Sequence, residues 1–238
     1  TNHLLVIESV TEKFFKEPNN QKEVVIGTRI SGFEEPNFGM VPNDVGHFAF
    51  YDNTIKLTNK VFLNPIADGA DDNYVYFIYD TLYTIPGDTT FVIKYYPESG
   101  ANFDGFKGIM HINTRHWAIE YVSAEPFNKG KIHLFIEQMY TLQPNDVWFP
   151  TQLNFELTLE KVPFRNQGAV LKGKSFLDSI QIDIPIPDSV FSVEEVELDK
   201  KAGKVKEEFW ETVGYPSSEI LSMFYSCPIY FLYNLILH

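Results

Sequence analysis

Phe106-Lys107-Gly108-Ile109-Met110-His111-Ile112-Asn113-Thr114-Arg115-His116-Trp117-Ala118-Ile119-Glu120-Tyr121 is the stretch whose reading decides the fold. On an extended backbone Phe106, Met110 and Ile112 point one way, and Lys107, Ile109 and His111 the other. Trp117, Ile119 and Tyr121 then share a face opposite His116 and Glu120. With Thr114 and Arg115 as a two-residue loop, Ile112 would pair with Trp117 and Met110 with Ile119, so the two apolar rows coincide. A slip of one residue would send them to opposite faces.

The same alternation continues on the C-terminal side. Ile132, Leu134, Ile136 and Tyr140 read as inward, and Lys131, His133 and Glu137 as outward. Gln143-Pro144-Asn145-Asp146 supplies a turn. Beyond it Thr151, Leu153, Phe155, Leu157 and Leu159 alternate with Gln152, Asn154, Glu156, Thr158 and Glu160. One antiparallel meander with a dry face and a wet face follows. Towards the N-terminus, His3 to Phe15 and Val24 to Phe33 form a hairpin around Glu17-Pro18-Asn19-Asn20. Tyr74 to Tyr83 and Thr89 to Tyr96 form another around Ile85-Pro86-Gly87-Asp88. Asn53 to Phe62 has no decisive pattern. Val170 to Ile184 is expected to add a last strand, with Ile180, Ile182 and Ile184 alternating until Pro185 and Pro187 stop it.

The fold class expected is therefore mainly β, an antiparallel meander forming a curved sheet or half-barrel, with a short C-terminal helix. We divide the chain into an antiparallel β domain at 1–190, a charged helix or linker at 191–212 and an apolar tail at 213–238. The helix is suggested by Glu197 and Lys201 at i,i+4 spacing, though Gly203 weakens it. Ile220 to Leu237 carries no charge over eighteen residues, just enough to cross a bilayer as a helix. Pro228, Asn234, the tyrosines and the lack of a basic flank oppose that reading in favour of a buried, disordered or non-native tail.

A chain of 238 residues with a formal charge of −13 and a pI near 4.8 is a poor ligand for phosphate polyanions, so no nucleic-acid role is expected. The single cysteine, Cys227, excludes an internal disulfide. The chain runs from Thr1 straight into Leu4, Val6 and Val10 without a methionine or an h-region, and we expect its native beginning to lie upstream.

Chemistry-bearing clusters are few. His111, His116 and Glu120 would share the polar face of one hairpin, a set zinc accepts, but two histidines on a solvated strand face ordinarily bind nothing. Asp68, Asp71, Asp72 and Asn73 suggest calcium, yet Ala70 stands where the EF-hand pattern requires a ligand. Glu137, Glu156 and Glu160 are carboxylates of the kind a glycosidase pairs, placed on outward positions where solvated charge is the default. We assign no catalytic residue, metal ligand or cofactor. Aromatic residues carry the binding expectation: Phe106, Met110, Ile112, Trp117, Ile119 and Tyr121 form the apolar face, read first as a core covered by a second sheet or a helix and second as a face left partly open to an acyl chain or an apolar partner segment.

Glu12-Lys13-Phe14, Gly27-Thr28-Arg29-Ile30-Ser31-Gly32-Phe33, Phe48-Ala49-Phe50-Tyr51-Asp52, Asn64-Pro65-Ile66, Tyr79-Asp80-Thr81, Asn102-Phe103-Asp104-Gly105, Ile112-Asn113-Thr114, Trp117-Ala118-Ile119, Glu137-Gln138 and Trp148-Phe149-Pro150-Thr151-Gln152-Leu153 occur in this order. Together they resemble an uncharacterised outer-membrane family of the Bacteroidota, a domain of unknown function, over about Thr1 to Thr212. The resemblance implies a signal peptide and a carboxypeptidase-regulatory-like sandwich before this region and an outer-membrane β-barrel after it, with membrane association through those parts. The sequence departs from the family after Trp210. No catalytic residues come with the resemblance.

Three function classes are expected, in this order. The first is a non-catalytic accessory or binding domain on the periplasmic face of the outer membrane, contacting lipid, lipoprotein or another envelope protein. The second is a glycan-binding module using Trp117 or Trp148 as a stacking platform, which requires a flat, solvent-exposed indole. The third is a carboxylate-based hydrolase, which requires two acids facing each other across a groove.

Overall fold

The computed structural model describes residues 5–17, 20–31, 50–57, 60–83, 87–128, 130, 132–159, 169–191, 196–199, 202, 205, 207–212 and 230–237. The strands are β1 (Leu5–Lys16), β2 (Asn20–Ser31), β3 (Thr54–Leu57), β4 (Lys60–Leu63), β5 (Tyr74–Leu82), β6 (Thr90–Pro97) and β7 (Phe106–Asn113). They continue with β8 (Ala118–Pro126), β9 (Ile132–Leu142), β10 (Trp148–Leu159), β11 (Ala169–Phe176), β12 (Val196–Leu198) and β13 (Tyr230–Leu237), with one short α-helix among the described residues, α1 (Glu207–Thr212). Eleven strands form one sheet in the order β12-β2-β1-β13-β11-β10-β9-β8-β7-β6-β5. Its two ends, β12 and β5, do not pair with each other, so the sheet is open. The run from β5 to β11 is an unbroken antiparallel meander, as the alternation implies.

Three expectations are corrected towards the C-terminus. The strand from Val170 stops at Phe176, because the backbone turns left-handed at Ser179 (φ 55°) and Asp183 (φ 58°), which no extended run tolerates. Ile180, Ile182 and Ile184 therefore belong to no strand. Val196–Leu198, read as helical, is a strand parallel to Glu23–Val25, and Glu197 pairs with Lys22 at 2.6 Å across the two strands. Tyr230–Leu237 is not a spanning helix but β13, antiparallel to both β1 and β11, in the stretch whose other expected reading was a buried, disordered or non-native tail. No described helix is long and apolar enough to cross a membrane.

The dry face of the meander is covered by the chain itself. Asn53 to Phe62, whose pattern was indecisive, supplies the β3–β4 hairpin, and Phe50, Ile55, Phe62, Ala67 and Ala70 pack into one core with Tyr95, Phe106, Met110, Ile119, Val122, Ile136 and Phe155. Phe62 stacks on Phe106 with ring centroids 4.6 Å apart. Polar groups lock this cover in place. Asn64 is fully buried; its Nδ2 donates to Phe50 O at 2.7 Å and its Oδ1 accepts from Ile66 N at 3.0 Å. Tyr74 donates its hydroxyl to Leu63 O at 2.7 Å and accepts from Phe106 N at 3.0 Å, joining β4, β5 and β7. These bonds satisfy groups whose burial would otherwise be costly.

Candidate functional site

The hairpin that decides the fold closes differently from the expected register. Asn113 faces Ala118 and Ile112 faces Ile119, so the loop is the four residues Thr114 to Trp117. Asn113 explains why. It is fully buried, its Oδ1 accepts from Arg115 N at 2.8 Å, and its Nδ2 donates to Thr90 Oγ1 at 3.0 Å. Thr114 meanwhile fastens the loop to the neighbouring turn, donating from its backbone N to Thr89 O at 2.8 Å and accepting Thr89 N on its Oγ1 at 2.9 Å. Asn113 thus still closes the first strand, while pairing on the second begins at Ala118, two residues later than a two-residue turn would allow. Farther along, His111 faces Tyr121, which leaves Glu120 as the extra residue of a bulge.

The six residues expected on one apolar face consequently part company. Phe106, Met110 and Ile119 are core residues, at 0%, 3% and 1% exposure, and Ile112 packs partly buried against them. The shift of two in pairing leaves Ile119 on its face. The bulge then exchanges sides, turning Tyr121 outward and Val122 inward. Tyr121 packs its ring against His111 and donates its hydroxyl to Glu137 Oε1 at 2.8 Å. Burial, reinforced by Glu137, pushes the Tyr121 phenol up to about 12. Burial lowers the pKa of His111, with Glu120 acting in the opposite sense. Trp117 leaves the strand altogether and stands 68% exposed in the loop.

The polar candidates are likewise distributed. His116 Nε2 lies 2.9 Å from Asp146 Oδ2, whereas Glu120 Oε2 accepts from Thr90 Oγ1 at 2.8 Å, so the proposed zinc set has three separate sets of partners. Among the described residues no three His, Cys, Asp or Glu side chains converge as metal ligands. The Asp68–Asn73 loop closes on itself, Asn73 Nδ2 donating to Gly69 O at 3.0 Å. Glu137 is engaged by Tyr121, Glu156 by Lys172 at 2.7 Å, and Glu160 lies outside the described residues.

Two surfaces remain with chemistry to offer. One is β5, hydrogen-bonded only to β6 among the described strands and carrying Phe77, Ile78 and Tyr79 at 42%, 63% and 72% exposure, with Tyr83 exposed just beyond its end. The other is the corner where the loop Thr114 to Trp117 meets the β9–β10 turn. There Arg115 Nε lies 3.1 Å from Asp88 Oδ2, an ion pair without hydrogen-bond geometry, and its Nη1 lies 3.6 Å from Asp146 Oδ1. Trp148 is half-buried and donates Nε1 to Arg115 O at 3.0 Å, which occupies the polar edge of that indole. Trp117 lies parallel to Phe91, planes 4° apart and centroids 6.3 Å. Sequence reasoning named Trp117 for the wrong face. The signal for its true place was the Asn113-Thr114 pair, whose short polar side chains favour turns.

Fold and surface together define an open antiparallel β domain with a self-filled core and aromatic residues concentrated at one sheet edge and one loop corner. The chain belongs to the family of unknown function DUF5686, whose model matches residues 1–175. Comparison with curated proteins and with solved structures finds no match.

Proposed function

We propose that this chain is a non-catalytic accessory domain of an outer-membrane protein of the Bacteroidota, acting on the periplasmic side and contacting an envelope protein along β5. The observation that carries the proposal is the β5 edge itself. A nine-residue strand with one row of backbone groups unpaired among the described residues, and several large exposed apolar side chains, is a template for an added strand. β5 contains no lysine, arginine or proline to blunt it; the bulge beside Tyr79 and the charge of Asp80 divide it but leave Tyr74 to Ile78 regular. Asp71, Asp72 and Asp80 lie in or beside it, which favours a partner strand carrying Lys or Arg and disfavours a second copy of this acidic chain. An acyl chain fits less well, because the apolar face that would receive it is filled by Phe50, Ile55 and Phe62.

Photo-crosslinking tests this. With benzoylphenylalanine in place of Tyr79 in the full chain in its native envelope, we expect one discrete protein adduct that Ile78→Lys abolishes. The same probe at Lys172, on the exposed face of β11, should give none. Lipid adducts alone, or no adduct at Tyr79, would overturn the assignment.

A further inference from the structure

Backbone strain is concentrated at the loop corner. Of the described non-glycine residues with positive φ, His116 (64°), Trp117 (52°) and Asp146 (66°) fall in two adjacent turns at the same end of the sheet. Each such residue costs on the order of 1 kcal/mol or more, so it persists only where surrounding contacts impose it. Those contacts are present. The Asn113 and Thr114 bonds fix the start of the loop, Trp148 Nε1 holds Arg115 O, and the His116–Asp146 contact at 2.9 Å ties the two strained turns together.

What this strained frame holds up is an indole in water. Trp117 gains little from folding at 68% exposure, since its contact with Phe91 covers only one side. Beside it stand an imidazole, a guanidinium and a carboxylate, with His116 and Asp146 at 54% and 60% side-chain exposure. A flat ring face with a negative quadrupole, bordered by fixed donors and acceptors, matches a pyranose: weakly positive C–H groups on one face and hydroxyls around the rim. A lipid tail would take water from these polar groups and offer no hydrogen bond in return. An acidic sugar would meet Asp88 and Asp146 beside the single Arg115, in a chain of net charge −13.

We infer that the Trp117 corner is a carbohydrate subsite: the indole stacks on one ring of a neutral glycan, and Asp146, His116 and Arg115 hydrogen-bond its hydroxyls. This surface is independent of the β5 edge, so either assignment can fail alone. The test is affinity electrophoresis of the full chain in native gels containing dextran, mannan, laminarin or xylan. At least one polysaccharide should retard the protein. Trp117→Ala should weaken that retardation roughly tenfold or more, with Trp117→Phe between the two. Tyr79→Ala should leave it unchanged. Because the side chain is exposed, the thermal melt of Trp117→Ala should superimpose on that of the parent chain, which separates lost binding from lost folding. Free migration of the parent chain in all four gels, or equal retardation of Trp117→Ala, would overturn the inference.

Discussion

The two flanks of the sheet hold together by different means. From β5 to β11 the strands share one continuous core with the β3–β4 cover, and the fully buried side chains include Tyr95, Phe50, Phe106, Ile55 and Ile119. Across β1, β2 and β12 the buried cluster among the described residues is Val10 with Trp210, flanked by Phe176 and Phe209, and cross-strand charges stand beside it. Arg29 makes a two-point contact with Glu8 and lies over the Trp210 ring at 4.7 Å; Lys13 meets Glu23 at 3.2 Å. Burial lowers the Lys13 pKa despite its partner, so desolvation there outweighs the attraction. Apolar burial adds free energy with every residue enclosed, whereas half-exposed ion pairs contribute about 0–1 kcal/mol each. The difference teaches that the meander is the stable body of this fold and the β1–β2 flank its more readily opened edge.

Breaking the stronger side should have the largest effect. Phe106 is fully buried on Phe62, and Phe106→Ala should lower the unfolding free energy by about 3–5 kcal/mol in urea melts, in one global transition. A loss below about 1 kcal/mol would mean that the β3–β4 cover collapses into the gap and that the core is looser than its burial implies. Trp210→Ala should remove α1 from its seat, since Phe209 lies where a Cβ on Gly27 would meet it at 3.0 Å. We expect about 1–3 kcal/mol, read as faster hydrogen exchange in β1 and β2 with β6 to β10 unchanged. Uniform acceleration across the sheet would erase the distinction between flanks.

The smallest expected effect sharpens the comparison through pH. The folded pKa of His111 lies below its ordinary 6.5, chiefly through burial, so the unfolded chain binds the extra proton more readily. Its contribution is complete above about 6.5 and is lost as pH falls through that value towards the folded one. Denaturation midpoints measured from about pH 7.5 down to 5 should therefore fall less steeply in His111→Gln than in the parent chain. Parallel slopes would show that His111 is solvated like a surface histidine.

Much of the meander was legible in the sequence, because period-two alternation is a local property of the chain. The inward rows of β9 and β10, such as Leu134, Ile136, Tyr140, Phe155 and Leu157, lie where alternation puts them. Exceptions occur where one residue is inserted. The bulge at Glu120 turned Tyr121 outward, and a second between Pro150 and Gln152 removed Thr151 from its row, where its hydroxyl meets Thr141 Oγ1 at 3.0 Å. A bulge leaves no local mark that alternation can detect, since the residues on either side remain extended. The candidate corner was less legible than the fold. Trp117 was recognisable as a residue able to stack, but its exposure depended on where pairing began.

Residue order alone settled the antiparallel meander and the acidic net charge, because side-chain periodicity and charge need no knowledge of neighbours. Only the tertiary structure decided that Phe50, Ile55, Phe62, Ala67 and Ala70 fill the dry face, that β12 and β13 join the sheet, and that Trp117 faces water. Those outcomes depend on contacts between residues far apart in the chain, where buried Asn64, Asn113 and Tyr74 must each find partners and the packing follows from the bonds they make.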